Sequence, residues 1–149
     1  MSEKRDSLAE DLIGTWRLID RIDRAADGTV RPEPTLGSDP LAMLTYTGER
    51  FSAQFMKRDR QTNASDASTA AGRNNTSAVD GYDAYFGTYR IVGAGIVRHK
   101  LEAALSPGNI GMEVERTLAV VDDQLTITLA TTTRTGEPVT RTLRWNRVR

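Results

Sequence analysis

The chain has 149 residues, 20 Lys plus Arg against 20 Asp plus Glu, one histidine and no cysteine. That length implies one domain over residues 1–149, large enough to bury a real core. The charge balance argues against nucleic acid as the main partner, because phosphate binding draws on a basic excess. The missing cysteines exclude disulfides, thiolate nucleophiles and the common structural zinc sites, and a single histidine excludes a multi-histidine metal centre.

The first segment, "MSEKRDSLAEDLIG", is charged and lacks the apolar stretch of a secretory signal. No apolar run approaches the roughly 20 residues that span a bilayer. The expectation is a soluble cytoplasmic protein with no membrane contact, in which the Asn-x-Ser/Thr triplets at Asn63, Asn74 and Asn75 are polar loop residues. Residues 3–12 have the pattern of a short helix with Leu8, Leu12 and Ile13 on one side.

From Trp16 onward the pattern has period two, broken by Gly, Pro, Asp and Asn. "GTWRLIDRI" opens a first strand, and "DPLAMLTYT" and "RFSAQFM" form the second and third around a turn at Gly48. From Lys57 to Asp80 runs a polar stretch longer than compact domains usually carry, read as either a disordered loop or a functional lid. "SAVDGYDAYFGTYRIV" is expected to start as a helical turn, with Tyr82 and Tyr85 on one side, and to become a strand near Gly87 that holds Tyr89. The last strands are 96–105, 112–121, 124–132 and 139–148, with turns at "SPGNIG", "DD" and "TRTGEP". Strands in simple succession predict an all-β, eight-stranded up-and-down antiparallel barrel, since closure removes exposed edges; an open two-layer sandwich is the alternative.

Alternation sorts the faces. In strand five Arg98, Lys100 and Glu102 point out, while Val97, His99, Leu101, Ala103 and Leu105 point in. In strand six Met112, Val114, Arg116, Leu118 and Val120 point in. A regular hairpin pairs Leu101 with Arg116 and His99 with Leu118, making His99 and Arg116 diagonal neighbours; a slip of two residues changes partners but keeps faces. The next turn pairs Leu118 with Ile127 and Arg116 with Leu129. Leu143 and Trp145 share one face of strand eight. Trp16, Leu18, Asp20 and Ile22 share the inward face of strand one, and Trp16 and Trp145 are expected to close the barrel floor. Tyr89 and Ile91 are inward candidates. Strand three is ambiguous: with Phe51 and Phe55 packed beneath an outer helix, Gln54 faces the cavity. Arg141, Arg144, Arg147 and Arg149 read as solvated strand ends divided between two faces.

In this order, "LIGTWRLI", "DPLAMLTYTGERFSAQFMKRDR", "GYDAYFGTYRI", "VRHKLEAALSPGN" and "VERTL" resemble the lipocalin-like domain family, the small bacterial and fungal group without signal peptides or disulfides. The resemblance runs from about Leu12 to Trp145. Gly14 and Trp16 match its glycine-x-tryptophan start, Ser52 and Gln54 its serine-alanine-glutamine step, and His99, Asn109 and Arg116 fall where the family pattern has the same types. It implies a barrel with a central cavity but not one activity, because such barrels include ligand binders as well as cofactor-free cyclases and isomerases of natural-product pathways.

His99 and Arg116 form the sharpest candidate catalytic pair. Burial and a neighbouring arginine both disfavour an imidazolium, which predicts a neutral His99 able to accept a proton or donate one hydrogen bond. Arg116 needs an anion, water or a path to the mouth; a structural Asp20–Arg116 bridge competes with binding of a ligand carboxylate, enolate or phenolate. Gln54, Tyr89, Tyr85, Trp145, Leu101 and Leu129 complete the candidate substrate site. No nucleophile elbow, phosphate loop or metal set is present, so no cofactor is expected. The partner predicted is a small apolar or aromatic organic molecule with an anionic or carbonyl group, and the protein is a monomer or homodimer. Isomerisation, cyclisation or elimination on that molecule competes with its passive binding or carriage. A filled barrel used as an interaction domain fits the polar inward residues least.

Overall fold

The structure, a computed structural model, describes the backbone of residues 2–60 and 78–149 and the side chains from Ser7 onward within them. The expected loop or lid between strands three and four falls mainly on residues 61–77, outside the described residues. The elements are α1 (Ser2–Leu12), β1 (Gly14–Ala25), β2 (Val30–Pro32), β3 (Leu41–Tyr46), β4 (Arg50–Met56), β5 (Tyr82–Gly93), β6 (Ile96–Ala104), a 3-10 turn (Pro107–Asn109), β7 (Glu113–Val121), β8 (Gln124–Thr132) and β9 (Pro138–Arg147).

Strands β3 to β9 pair antiparallel in succession, and β1 pairs with both β3 and β9, so eight of the nine strands close into a barrel. Closure rules out the open sandwich. The ninth strand, β2, was not foreseen. It lies along the second half of β1, from Ile22 opposite Pro32 to Arg24 opposite Val30. One barrel end is plugged by α1: Leu12 and Trp16 are wholly buried, and the Trp16 indole donates to the Leu12 carbonyl at 3.0 Å. Arg147 of β9 lies 4.3 Å from the Trp16 ring centre and donates to the Asp11 and Ile13 carbonyls, tying the helix end down.

Three local irregularities decide which side chains reach the interior. A bulge in β1 between Leu18 and Asp20 shifts its register against β9 and reverses the alternation. Trp16 and Leu18 pack inward as expected, but beyond the bulge the buried residues are Arg21, Asp23 and Ala25. Asp20 faces out and pairs with Arg144, so the expected Asp20–Arg116 bridge does not form.

In β6, Glu102 is an extra residue: Phe86 opposes Ala103 while the next residue, Gly87, opposes Leu101. Ala103 and Leu105 therefore leave the inward row, Leu105 is exposed, and Ala104 packs on the core instead. The two backbones approach so closely here that a Cβ on Gly87 would lie 1.8 Å from the Lys100 carbonyl oxygen, and only glycine fits.

The third irregularity replaces the expected helical turn before β5. Val79 and Tyr82 bond each other's backbones around Asp80 (φ 52) and Gly81 (φ 76), a tight Asp-Gly turn, and the strand starts at Tyr82 rather than near Gly87.

Elsewhere the parities stand. Val97, His99 and Leu101 of β6 and Val114 and Leu118 of β7 are buried. The β6–β7 pairing is slipped by four residues from the regular hairpin, with His99 opposite Val114 and Val97 opposite Arg116. An even slip keeps every face and leaves His99 and Arg116 diagonal neighbours. Leu118 opposes Ile127 and Val120 opposes Leu125, as the tight Asp122–Asp123 turn requires.

Candidate functional site

The inner faces enclose a cavity of about 60 Å³. At roughly 10–15 Å³ per water it has room for a few waters or a compact organic molecule. Its waist is aromatic and aliphatic: Phe55 meets Trp145 edge-on at 5.7 Å and Phe51 meets Tyr85 at 6.0 Å, with Leu101 and Leu129 also lining it. Polar side chains gather at two poles. Asp83 and Tyr89 are six residues apart on β5, and Tyr89 opposes His99, so the backbones that carry the poles lie about 20 Å apart at about 3.3 Å per residue, while the Arg116 and Arg141 side chains reach inward until their charges repel across the cavity.

At the first pole, His99 Nε2 shares a 2.7 Å hydrogen bond with the Tyr46 hydroxyl. Phe51 stands edge-on 4.7 Å from the imidazole. His99 Nδ1 is buried and has no hydrogen-bond partner among the described residues. Burial first, and then the Arg116 charge, push the imidazole down to about 3, so at neutral pH the ring is uncharged. If Tyr46 donates to Nε2, Nδ1–H is a donor to the cavity; if Tyr46 accepts, Nδ1 is an acceptor. Burial pushes the Tyr46 hydroxyl well above its ordinary value and keeps it protonated. Arg116 is half-buried on the cavity wall and donates to the Glu115 carbonyl at 3.2 Å.

The second pole is ionic. Arg141 of β9 grips Asp23 of β1 with Nε at 2.7 Å and Nη2 at 3.0 Å, a fully buried side-on pair. That grip leaves Arg141 Nη1 buried and without a partner among the described residues. Arg21 bonds Glu33 at 2.5 Å. Burial works to raise the Glu33 carboxyl, but Arg21 and the N–H and hydroxyl of Thr35 outweigh it and hold it at about 2. Asp83 is also buried; one oxygen accepts from the Ala84 N–H at 2.9 Å. Burial lifts its carboxyl to about 7 against the pull of that N–H and of Arg21. Among the described residues no group of three or more His, Cys, Asp or Glu side chains is arranged to hold a metal ion.

An antiparallel barrel with a plugged end, an apolar waist and a few inward polar groups narrows the family, and the sequence pattern decides it: the model of the lipocalin-like domain matches residues 13–148. The chain belongs to the lipocalin-like domain family. A search of curated proteins finds no match. A lipocalin-like barrel suggests a binder of small molecules, and no helix among the described residues is long and apolar enough to cross a membrane.

Within this lipocalin-like barrel, His99, Arg116, Tyr85, Trp145, Leu101 and Leu129 all line the cavity. Trp145 is a cavity wall rather than floor; only Trp16 packs at the plugged end. Gln54 is exposed on the outer face, because Phe51, Ala53 and Phe55 take the inward row of β4. Tyr89 does not reach the cavity: it packs edge-on to Tyr46 at 4.9 Å and its hydroxyl donates to the Thr47 carbonyl at 2.6 Å. Asn109 is wholly buried beneath the turn after β6.

Sequence reasoning missed Tyr46, Asp83 and the Arg21–Glu33 and Asp23–Arg141 pairs. Arg141 was legible, since alternation from Trp145 and Leu143 leads straight to it, yet it passed for a solvated strand end. The adjacent Leu18 and Ile19 were the available sign of the β1 bulge, because regular alternation does not place two large apolar residues side by side.

Proposed function

We propose that this protein binds a compact, mostly apolar or aromatic organic molecule inside the barrel through a carbonyl or anionic oxygen. One observation carries the reading. His99 Nδ1, Trp145 Nε1 and Arg141 Nη1 are buried without partners among the described residues, and all three side chains line one cavity. A buried polar atom left unpaired costs about 1–3 kcal/mol, and an oxygen-bearing ligand relieves that cost. Tyr85, Leu101 and Leu129 supply apolar wall, and Arg116 supplies a positive charge. Apolar lining with a few convergent polar groups is the usual make-up of a small-molecule site.

Native mass spectrometry of protein purified without denaturation tests this, with one small organic molecule per chain expected. His99→Phe and Trp145→Phe should each weaken its rebinding about tenfold, the equivalent of about 1.4 kcal/mol. A protein that carries no small molecule and binds none of a panel of compact aromatic carbonyl compounds overturns the reading.

The second reading is a cofactor-independent isomerase, cyclase or lyase of natural-product metabolism, working in the cytoplasm as a monomer or homodimer. It is favoured by Arg116 beside an uncharged His99, a cation and a neutral hydrogen-bonding group able to stabilise an enolate or phenolate as it forms. With a substrate in hand, Arg116→Met that abolishes turnover but not binding excludes a mere carrier. Turnover that survives both His99→Phe and Arg116→Met removes this pair from catalysis.

A further inference from the structure

The His99 pole lacks a good base: an imidazole held near 3 takes up a proton only in acid. The other pole has one. Asp83 lines the cavity next to Phe55, which opposes it on β4. Its Oδ1 is used by the Ala84 N–H, while Oδ2 makes no hydrogen bond among the described residues. Arg21 reaches it electrostatically from β1, and burial, followed by the Arg141 charge, lowers the Arg21 guanidinium. A carboxylate with one uncommitted oxygen thus shares an apolar chamber with two unpartnered donors, Arg141 Nη1 and Trp145 Nε1.

We propose that Asp83 is the proton-exchanging carboxylate of this cavity, beside Arg21 and Arg141, and that its substrates are compact ketones with an acidic C–H next to the carbonyl. The proposal rests on the cavity being a small-molecule site. Asp83 Oδ2 removes the proton: the C–H bond breaks, an O–H bond forms on the carboxylate, and the C–H electron pair moves into the carbonyl to give an enolate. The N–H groups of Arg141 and Trp145 hold the enolate oxygen. Returning a proton to the same carbon exchanges it with solvent, and delivering it to a conjugated position shifts a double bond. Neither outcome oxidises or reduces the substrate.

A carboxyl near 7 suits the task, since a base poised near the working pH is both ionised and strong enough. Among the described residues the groups around it are few. Arg21 faces it from β1, with Glu33 and Arg141 bound to or beside that arginine. Tyr85 follows it on β5, raised by burial and by the Asp83 charge to about 12 and so protonated throughout. Phe55 of β4 and Ala104 of β6 bring no charge, and the Lys57 side chain lies over Gly81 in the turn before β5.

The test uses the whole protein with indan-2-one, a compact aromatic ketone whose benzylic C–H groups flank the carbonyl. Binding is followed by tryptophan fluorescence and proton exchange by NMR in heavy water. Saturable binding with accelerated exchange is expected, the rate rising with pH to a plateau with a midpoint near 7. Asp83→Asn should keep the binding and lose about 100-fold of the protein-dependent exchange, a usual contribution of a general base. Binding without exchange, exchange that survives Asp83→Asn, or a rate with no inflection near neutrality each overturns the proposal while leaving the binding site intact. Failure to bind indan-2-one removes compact ketones as ligands and the proposal with them. The wild-type pH profile decides the question alone should the Asn variant not fold.

Discussion

The two poles of the cavity handle buried polarity in opposite ways. At the His99 pole the hydrogen-bonding groups are neutral, an uncharged imidazole and a protonated tyrosine among aromatic neighbours, with the half-buried Arg116 beside them as the charged exception. At the Asp83 pole charge is kept and matched, with Arg141 on Asp23 and Arg21 on Glu33. Losing a neutral hydrogen bond costs about 1 kcal/mol, whereas orphaning one member of a buried ion pair costs several. The neutral pole is therefore cheap to alter and the ionic pole expensive, which makes the first adaptable to different ligands and the second a fixed part of the scaffold.

The largest effect expected is at the ionic pole. Asp23→Ala strands the Arg141 guanidinium inside the barrel and should cost about 3–5 kcal/mol in urea unfolding, against far less for Asp20→Ala on the outer face. A smaller loss at Asp23 would mean that the poles are not so different.

Next comes pH. Between about 6.5 and 3 the unfolded chain takes up a proton that folded His99 refuses, so this group makes stability fall as pH falls. Asp83 acts in the opposite sense: between about 3.8 and 7 the folded protein holds a proton the unfolded chain has released, so stability falls as pH rises. Each slope approaches about 1.4 kcal/mol per pH unit at most, and they offset one another from about pH 4 to 6.5. Asp83→Asn should steepen acid destabilisation, and His99→Phe should remove or invert it, in unfolding measured at pH 5, 6 and 7.

Tyr46→Phe should cost about 1 kcal/mol by freeing His99 Nε2, with a change in the imidazole tautomer populations visible by nitrogen NMR. The smallest effect belongs to Gln54→Ala, expected to stay within about 0.5 kcal/mol and to leave ligand binding unchanged, since the side chain is on the outer face. A binding defect there would reverse the face assigned to β4.

The barrel was legible because its second half obeys strict alternation: β7, β8 and β9 follow the expected faces, and His99 and Arg116 reach the cavity by parity alone. Parity survives the four-residue slip in β6–β7 because the slip is even. What escaped lies beyond positions where one residue is added. The β1 bulge brings Arg21 and Asp23 inside, and Glu102 in β6 takes Leu105 out. Gln54 was misplaced for a different reason: both faces of "RFSAQFM" carry an apolar residue, so alternation alone gave no decision. Asp83 was hidden by the expectation of a helical turn where a tight Asp-Gly turn had already started the strand.

The β1 bulge also makes this barrel easy to convert. Its one surplus residue sets whether Asp20 and Ile22 or Arg21 and Asp23 look into the chamber. Deleting a single codon near Ile19 would hand the interior a different polar inventory without touching the other strands. In a barrel of this kind a one-residue insertion or deletion in a strand is therefore a shorter route to a new ligand class than any series of substitutions lining the cavity.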